Sequence, residues 1–129
     1  MIAGGTEKAL ILYQDSRGNT VEKKVKEIVA EVSEKGYSIN LNHPRADLGY
    51  QVADYDVIIL VTPIYVGKIS EPLMNFADSQ DFSGKKVYGL ITGGLEDEGE
   101  IDKFKSHIKN AEMMVVEKQH IHELYAVLQ

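Results

Sequence analysis

The order of apolar and polar segments predicts an α/β protein with three layers, a doubly wound five-stranded parallel sheet between helices. Residues 9–13 and 57–61 are continuous apolar runs, the composition of central strands covered on both faces. Segments of helical periodicity lie between and after them, and such alternation implies parallel pairing through right-handed crossovers. Loops carrying glycine follow the strand-like runs at 14–20, 62–69 and 92–100. Sheets of this kind bind ligands at the carboxyl ends of their strands, so function is expected in those three loops.

The first strand, 9–13, is followed by a polar loop and then a helix. Its Val21, Val25, Ile28, Val29 and Val32 recur as one apolar stripe. Gly36 closes that helix as a C-terminal cap. Residues 37–41 alternate like a half-buried strand, and 42–55 are weakly patterned. Residues 56–62 carry the strongest strand signal of the chain. A turn-like segment, 63–68, then leads to Ser70 as an N-cap, with Pro72 near the first turn of a helix burying Leu73, Phe76 and Ala77. Residues 86–92 form a fourth strand, ending at Gly93 and Gly94, with an acidic loop beyond. A further helix buries Ile101, Phe104 and Ile108, and residues 113–116 form the fifth strand. Leu124, Val127 and Leu128 suit two turns of helix, so the last helix is expected to be short, vestigial or cut off.

At 129 residues the chain suits one domain, 1–129, and no linker or repeat divides it. The complete lack of cysteine excludes disulfide staples, thiolate metal sites, iron–sulfur clusters and cysteine nucleophiles. A formal charge of −6 disfavours nucleic acid, the more so because the lysines of 23–26 are interspersed with glutamates. No apolar run nears the ~20 residues of a membrane span, and residues 1–8 lack the basic and apolar parts of a signal peptide. The cytoplasm is the expected compartment.

Loop 14–20 joins an apolar strand to the start of an amphipathic helix. Unsatisfied backbone N–H groups and the positive end of the helix dipole coincide there, which suits a phosphate. Gly18 permits close approach, Ser16, Asn19 and Thr20 offer short polar side chains, and Arg17 offers a charge-assisted contact. The plainer alternative is a capped turn, with Asn19 or Thr20 as the N-cap.

The segment from Leu12 to Thr20, closing with Gly18, Asn19 and Thr20, resembles the phosphate loop of flavodoxins, a strand followed by Ser/Thr-x-Thr-Gly-Asn-Thr. Asp15 replaces the family's hydroxyl residue and Arg17 its usual threonine. An aspartate facing a phosphate dianion is repulsive, so either Arg17 neutralises it or Asp15 turns away to accept backbone hydrogen bonds. Thr62, Pro63, Ile64, Tyr65, Val66 and Gly67 are similar to the Thr/Ser-Pro-x-Tyr-x-Gly segment of flavodoxin-like proteins and FMN-dependent reductases. There it passes along the isoalloxazine edge. Tyr65 has a flat face able to stack on such a ring, and the alternative is that it merely covers the sheet edge. Thr92, Gly93 and Gly94 stand where the family's third flavin-contacting loop would be. No aromatic residue accompanies them, so a two-sided aromatic sandwich is not expected, although Leu95 offers an apolar substitute. Glu96, Asp97, Glu98 and Glu100 read as a solvated helix start; beside a flavin they would lower its potential, and otherwise they offer a docking face for a basic partner.

The resemblance runs over residues 8–118 in element order and implies FMN held without a covalent bond. Its leading functional implication is an electron-transfer flavoprotein that docks transiently on basic redox partners, with no residue acting as acid or base. An FMN-dependent NAD(P)H:quinone or flavin reductase is one alternative, and a cofactor-free flavodoxin-like binding module is another. Phosphoacceptor receiver domains share the layout but need an aspartate ending the third strand, where this chain has Thr62 and Pro63. His120 and His122, near Glu117 and Glu123, have a spacing that suits a metal on a strand face, but they lack a third ligand. A solvated strand end is the preferred reading, and no metal is assigned.

Overall fold

The computed structural model describes residues 7–14, 20–42, 52–65, 68–69, 71–92 and 98–128. In chain order the elements begin with β1 (Lys8–Tyr13), α1 (Thr20–Glu34), β2 (Ser38–Asn42), a 3-10 turn (Val52–Asp54) and β3 (Val57–Thr62). They continue with β4 (Ile64–Tyr65), β5 (Lys68–Ile69), α2 (Glu71–Asp78), β6 (Lys86–Ile91), α3 (Glu98–Ser106) and β7 (Met113–Glu117). A second 3-10 turn (Lys118–His120) leads into α4 (Ile121–Val127). Five strands pair in parallel in the order β2-β1-β3-β6-β7, and β4 and β5 form a separate antiparallel pair. The predicted five-stranded, doubly wound α/β fold is the observed one.

Every residue of β3 is buried, as the unbroken apolar run requires. Successive side chains of a strand point to opposite faces, so each central strand feeds two cores. Leu10, Leu12, Ile58 and Leu60 share one apolar cluster with Leu73 and Phe76 of α2 and Phe104 of α3. Ala9, Ile11, Val57, Ile59 and Val61 share the other with the α1 stripe and with Leu124 of α4. Of that stripe, Val21, Val25, Ile28 and Val32 are at most 2% exposed. Gly89 of β6 lets α3 come close: a methyl group there would sit 3.6 Å from the Phe104 ring and 3.2 Å from Met113 Sδ.

Gly36 ends α1 as expected, at φ +93°, a conformation that favours glycine. Its N–H donates to the Ser33 carbonyl at 3.0 Å and that of Tyr37 to the Val32 carbonyl at 3.4 Å. β2 therefore starts one residue later than the alternation suggests, because Tyr37 still belongs to the turn. Helix α2 begins at Glu71 with Pro72 second, where a missing N–H costs nothing. Ser70, its expected N-cap, lies outside the described residues.

The last helix is short but not vestigial. Leu124 is fully buried and Leu128 is 2% exposed, whereas Val127 faces solvent. The Tyr125 hydroxyl donates to Glu27 Oε2 at 2.6 Å, tying α4 to α1, and that of Tyr37 donates to the Leu128 carbonyl at 2.9 Å, tying the end of α4 to the turn before β2. Hydrogen bonding to Tyr125 holds the Glu27 carboxyl below the usual carboxylate range. His120 and His122 fall in the 3-10 turn and the first turn of α4, not on a strand as their spacing suggested. Among the described residues no cluster of three or more metal-binding side chains occurs, and no helix is long and apolar enough to cross a membrane.

At the opposite rim, Asp81 Oδ1 accepts from Ser83 Oγ at 2.7 Å, Asn110 Nδ2 at 2.9 Å and the Ser83 amide at 3.0 Å. His107 Nδ1 lies 2.6 Å from Asp78 Oδ1. These contacts join the end of α2 to the end of α3, away from the loops in which function is expected.

Two expectations test this packing. Leu124→Ala should cost about 2–5 kcal/mol in chemical denaturation, the range for emptying a buried leucine site; a cost near zero would mean that α4 is not docked. The bonds from the Ser83 hydroxyl, Asn110 and the Ser83 amide depress the Asp81 carboxyl to about 2, from 3.8. A depressed folded-state value gives stability that is present above about pH 4 and lost as the pH falls through about 2. Asp81→Asn should therefore be less stable than the parent at pH 6, with the gap closing towards pH 2. A gap independent of pH would refute the assignment.

Candidate functional site

The carboxyl ends of β1, β3 and β6 form one rim. Beyond the regular ladder, the Gln14 amide donates to the Val61 carbonyl and the Thr92 amide to the Thr62 carbonyl, both at 3.1 Å. Gln14, Thr62 and Thr92 therefore stand side by side where the three expected loops leave the sheet. The strand order changes direction between β1 and β3, which makes this rim the topological switch point.

Two buried polar side chains occur among the described residues, Thr62 and Thr92, and both lie on this rim. Thr62 Oγ1 donates to the Pro63 carbonyl at 2.9 Å. Thr92 is 1% exposed, and its Oγ1 is the one buried side-chain polar atom without a hydrogen-bond partner among the described residues. Desolvating a hydroxyl without replacing its bonds to water is unfavourable by about 1–3 kcal/mol, so such groups are rare and call for a reason. A ligand group meeting that hydroxyl supplies one.

The segment after β3, expected to be turn-like, is a two-rung antiparallel hairpin that pairs Ile64 with Ile69 and Tyr65 with Lys68. Pro63 is buried at its base and Ile69 is 4% exposed, part of the buried apolar cluster that includes Leu73 and Phe104. On the other side, α3 starts inside the acidic run, at Glu98. Glu100 departs from the solvated role expected of it. It is half-buried and its Oε1 accepts the Ile69 amide at 3.2 Å. Its partner lies 31 positions away in the chain, which no local pattern signals. Lys103 and Lys105 occupy the last turn of α3, where cations complement the helix dipole.

Of the residues expected to form the site, Thr62, Pro63 and Thr92 come together on the rim. Ile64 and Tyr65 are placed by their backbone in β4, and Thr20 opens α1. Asp15, Ser16, Arg17, Gly18, Asn19, Val66, Gly67, Gly93 and Gly94 lie outside the described residues, as do Leu95, Glu96 and Asp97. Gln14, the first residue of the expected 14–20 loop, also lies on this rim, its half-buried side chain following directly from the strand.

The unpartnered hydroxyl has a measurable consequence. Thr92→Val should leave the ligand-free protein as stable as the parent or stabilise it by up to ~1 kcal/mol, because it removes a buried polar atom that has lost its water. A loss above ~1 kcal/mol in thermal or chemical denaturation would mean that the hydroxyl is bonded without a ligand.

Comparison with known proteins bears on what occupies such a rim. The sequence profile of the family described as Flavodoxin domain matches residues 10–123. An uncharacterised protein of Methanocaldococcus jannaschii is 32% identical over 88 residues, which cover 68% of this chain and 55% of that protein. The chain thus spans about half the length of that relative. Among solved structures, a flavodoxin of Streptococcus pneumonia TIGR4 superposes with a TM-score of 0.65 at 19% identity, over 94% of each chain. A Fusobacterium nucleatum flavodoxin variant bound to flavin mononucleotide superposes with a TM-score of 0.63 at 22% identity, over 88% of this chain and 70% of the other. Identities this low speak for the fold alone, which here has the strand order in which flavodoxins carry FMN at the β1/β3 switch point. Together with a profile match that runs from β1 into α4, this means that the chain belongs to the flavodoxin domain family.

Proposed function

We propose that this protein binds one FMN noncovalently at the rim formed by β1, β3 and β6, and that it works as an electron carrier between protein partners. The observation that carries the reading is the pair of buried threonines at the carboxyl ends of β3 and β6, one of them with its hydroxyl unpartnered. The polar edge of an isoalloxazine ring offers the donors and acceptors that such a hydroxyl lacks, so the residues present fit the group. The family membership and the FMN-bound neighbour support the same choice of cofactor.

Asp15, Ser16, Arg17, Gly18, Asn19 and Thr20 would hold the phosphate at the opening of α1, through backbone amides and short hydroxyl and amide side chains. Thr62, Pro63, Ile64, Tyr65, Val66 and Gly67 would pass along one edge of the ring, and Thr92, Gly93 and Gly94 would meet its polar end. When bound, FMN supplies the redox chemistry. The protein's part is to hold and orient the ring, exclude water from one side of it, and set the surrounding charge. A formal charge of −6 suits brief docking on basic surfaces of redox partners, which makes a carrier the favoured role.

Titration of FMN with the purified protein tests the reading through quenching of flavin fluorescence. Stoichiometric quenching is expected for the parent. Gly18→Asp, which adds a carboxylate facing the phosphate, should weaken binding by about a hundredfold or more while leaving the thermal midpoint of the unliganded protein unchanged. Failure of the parent to quench FMN ends the cofactor assignment. Steady turnover of NADH or NADPH with a quinone by the loaded protein would replace the carrier role with a reductase.

A further inference from the structure

The β4–β5 hairpin is too small to hold its own shape. It has two residue pairs, and isolated hairpins of even greater length are marginal in water. Its conformation must come from what it touches. One anchor is Ile69, which is 4% exposed and belongs to the same buried apolar cluster as Leu73 of α2 and Phe104 of α3. That contact is apolar and non-directional, so it limits depth but leaves the hairpin free to rock. A directional anchor is the bond from the Ile69 amide to Glu100 Oε1, at 3.2 Å. The acceptor is a carboxylate, which makes the bond stronger than one between neutral groups. Glu100 is in turn carried by the first turn of α3, the helix that begins where the 92–97 loop ends.

Glu100 thus joins the two sides of the rim. The hairpin that carries the Tyr65 backbone leaves β3, the loop that starts at Thr92 leaves β6, and one side chain fixes the spacing between hairpin and helix. We propose that Glu100 is a positioning residue, setting the hairpin against the start of α3 so that the flavin ring meets a preformed wall. The inference rests on the FMN reading above and assigns Glu100 no contact with the ring. A preformed wall raises affinity by removing an ordering cost that would otherwise accompany binding.

Three variants and two readouts test it. Glu100→Ala removes the acceptor, Glu100→Gln keeps an oxygen at the same place without the charge, and Asp102→Asn removes a charge from an exposed position of the same helix. In the unliganded protein, amide exchange at Ile69 measured by NMR should accelerate roughly tenfold in Glu100→Ala and stay near the parent in the other two. FMN affinity from fluorescence quenching should fall roughly tenfold in Glu100→Ala, recover to within about threefold in Glu100→Gln, and be unchanged in Asp102→Asn. Unchanged Ile69 exchange in Glu100→Ala overturns the proposed anchor. Faster exchange with unchanged FMN affinity overturns its role in binding, as does an equal loss in Asp102→Asn, which would make charge rather than the bond responsible. A parent protein that binds no FMN fails the functional reading itself, and the exchange data then still decide whether Glu100 holds the hairpin.

Discussion

Burial of β3 on both faces is the constraint from which the rest of this structure follows. With all six side chains out of water, its main-chain groups find partners in β1 and β6 and its side chains need a helical layer above and another below. α1 and α4 supply one layer, α2 and α3 the other. Polar side chains are thereby driven out of the strand interiors to the strand ends. Thr62 and Thr92 sit at those ends and are buried nonetheless. Thr62 Oγ1 donates to the Pro63 carbonyl, whereas Thr92 Oγ1 has no hydrogen-bond partner among the described residues.

The smallest elements depend most on distant contacts. Helix α4 has seven residues and the β4–β5 hairpin has two rungs, both below the length at which local propensity suffices. α4 is held by Leu124 in the core and by two tyrosine hydroxyls that bridge to the Glu27 side chain and the Leu128 carbonyl. The hairpin is held by Ile69 and Glu100. In each case an apolar anchor sets the depth and a hydrogen bond sets the orientation. That division lets short pieces of chain sit in one place without a large interface.

The likeness to flavodoxins survives at 19–22% identity because what the fold requires is a pattern, not particular residues. Apolar runs of strand length, stripes at helical spacing and a cap such as Gly36 are satisfied by many sequences. Loop chemistry is less tolerant, and there this chain goes its own way. It places Asp15 and Arg17 in the phosphate-loop segment and carries no aromatic residue beside Gly93 and Gly94. A fold hosts many functions, so what such a protein binds is decided by the residues of its rim more than by its topology.

The sequence by itself determined the layers, the order of strands and helices, and which three loops leave the sheet along one rim. Each of these follows from local periodicity, legible in the runs 9–13 and 57–61 and in the valine stripe of α1. It also marked Thr62 and Thr92, because both end strong strands. Only the tertiary structure decided that 64–65 pair with 68–69, that α4 is docked, that His120 and His122 lie in helical turns, and that Glu100 reaches back to Ile69. Those outcomes rest on contacts between residues far apart in the chain, such as the 98 positions separating Tyr125 from Glu27. Local spacing carries the periodicity of an element, whereas the partner of a side chain is set by how the elements close on one another.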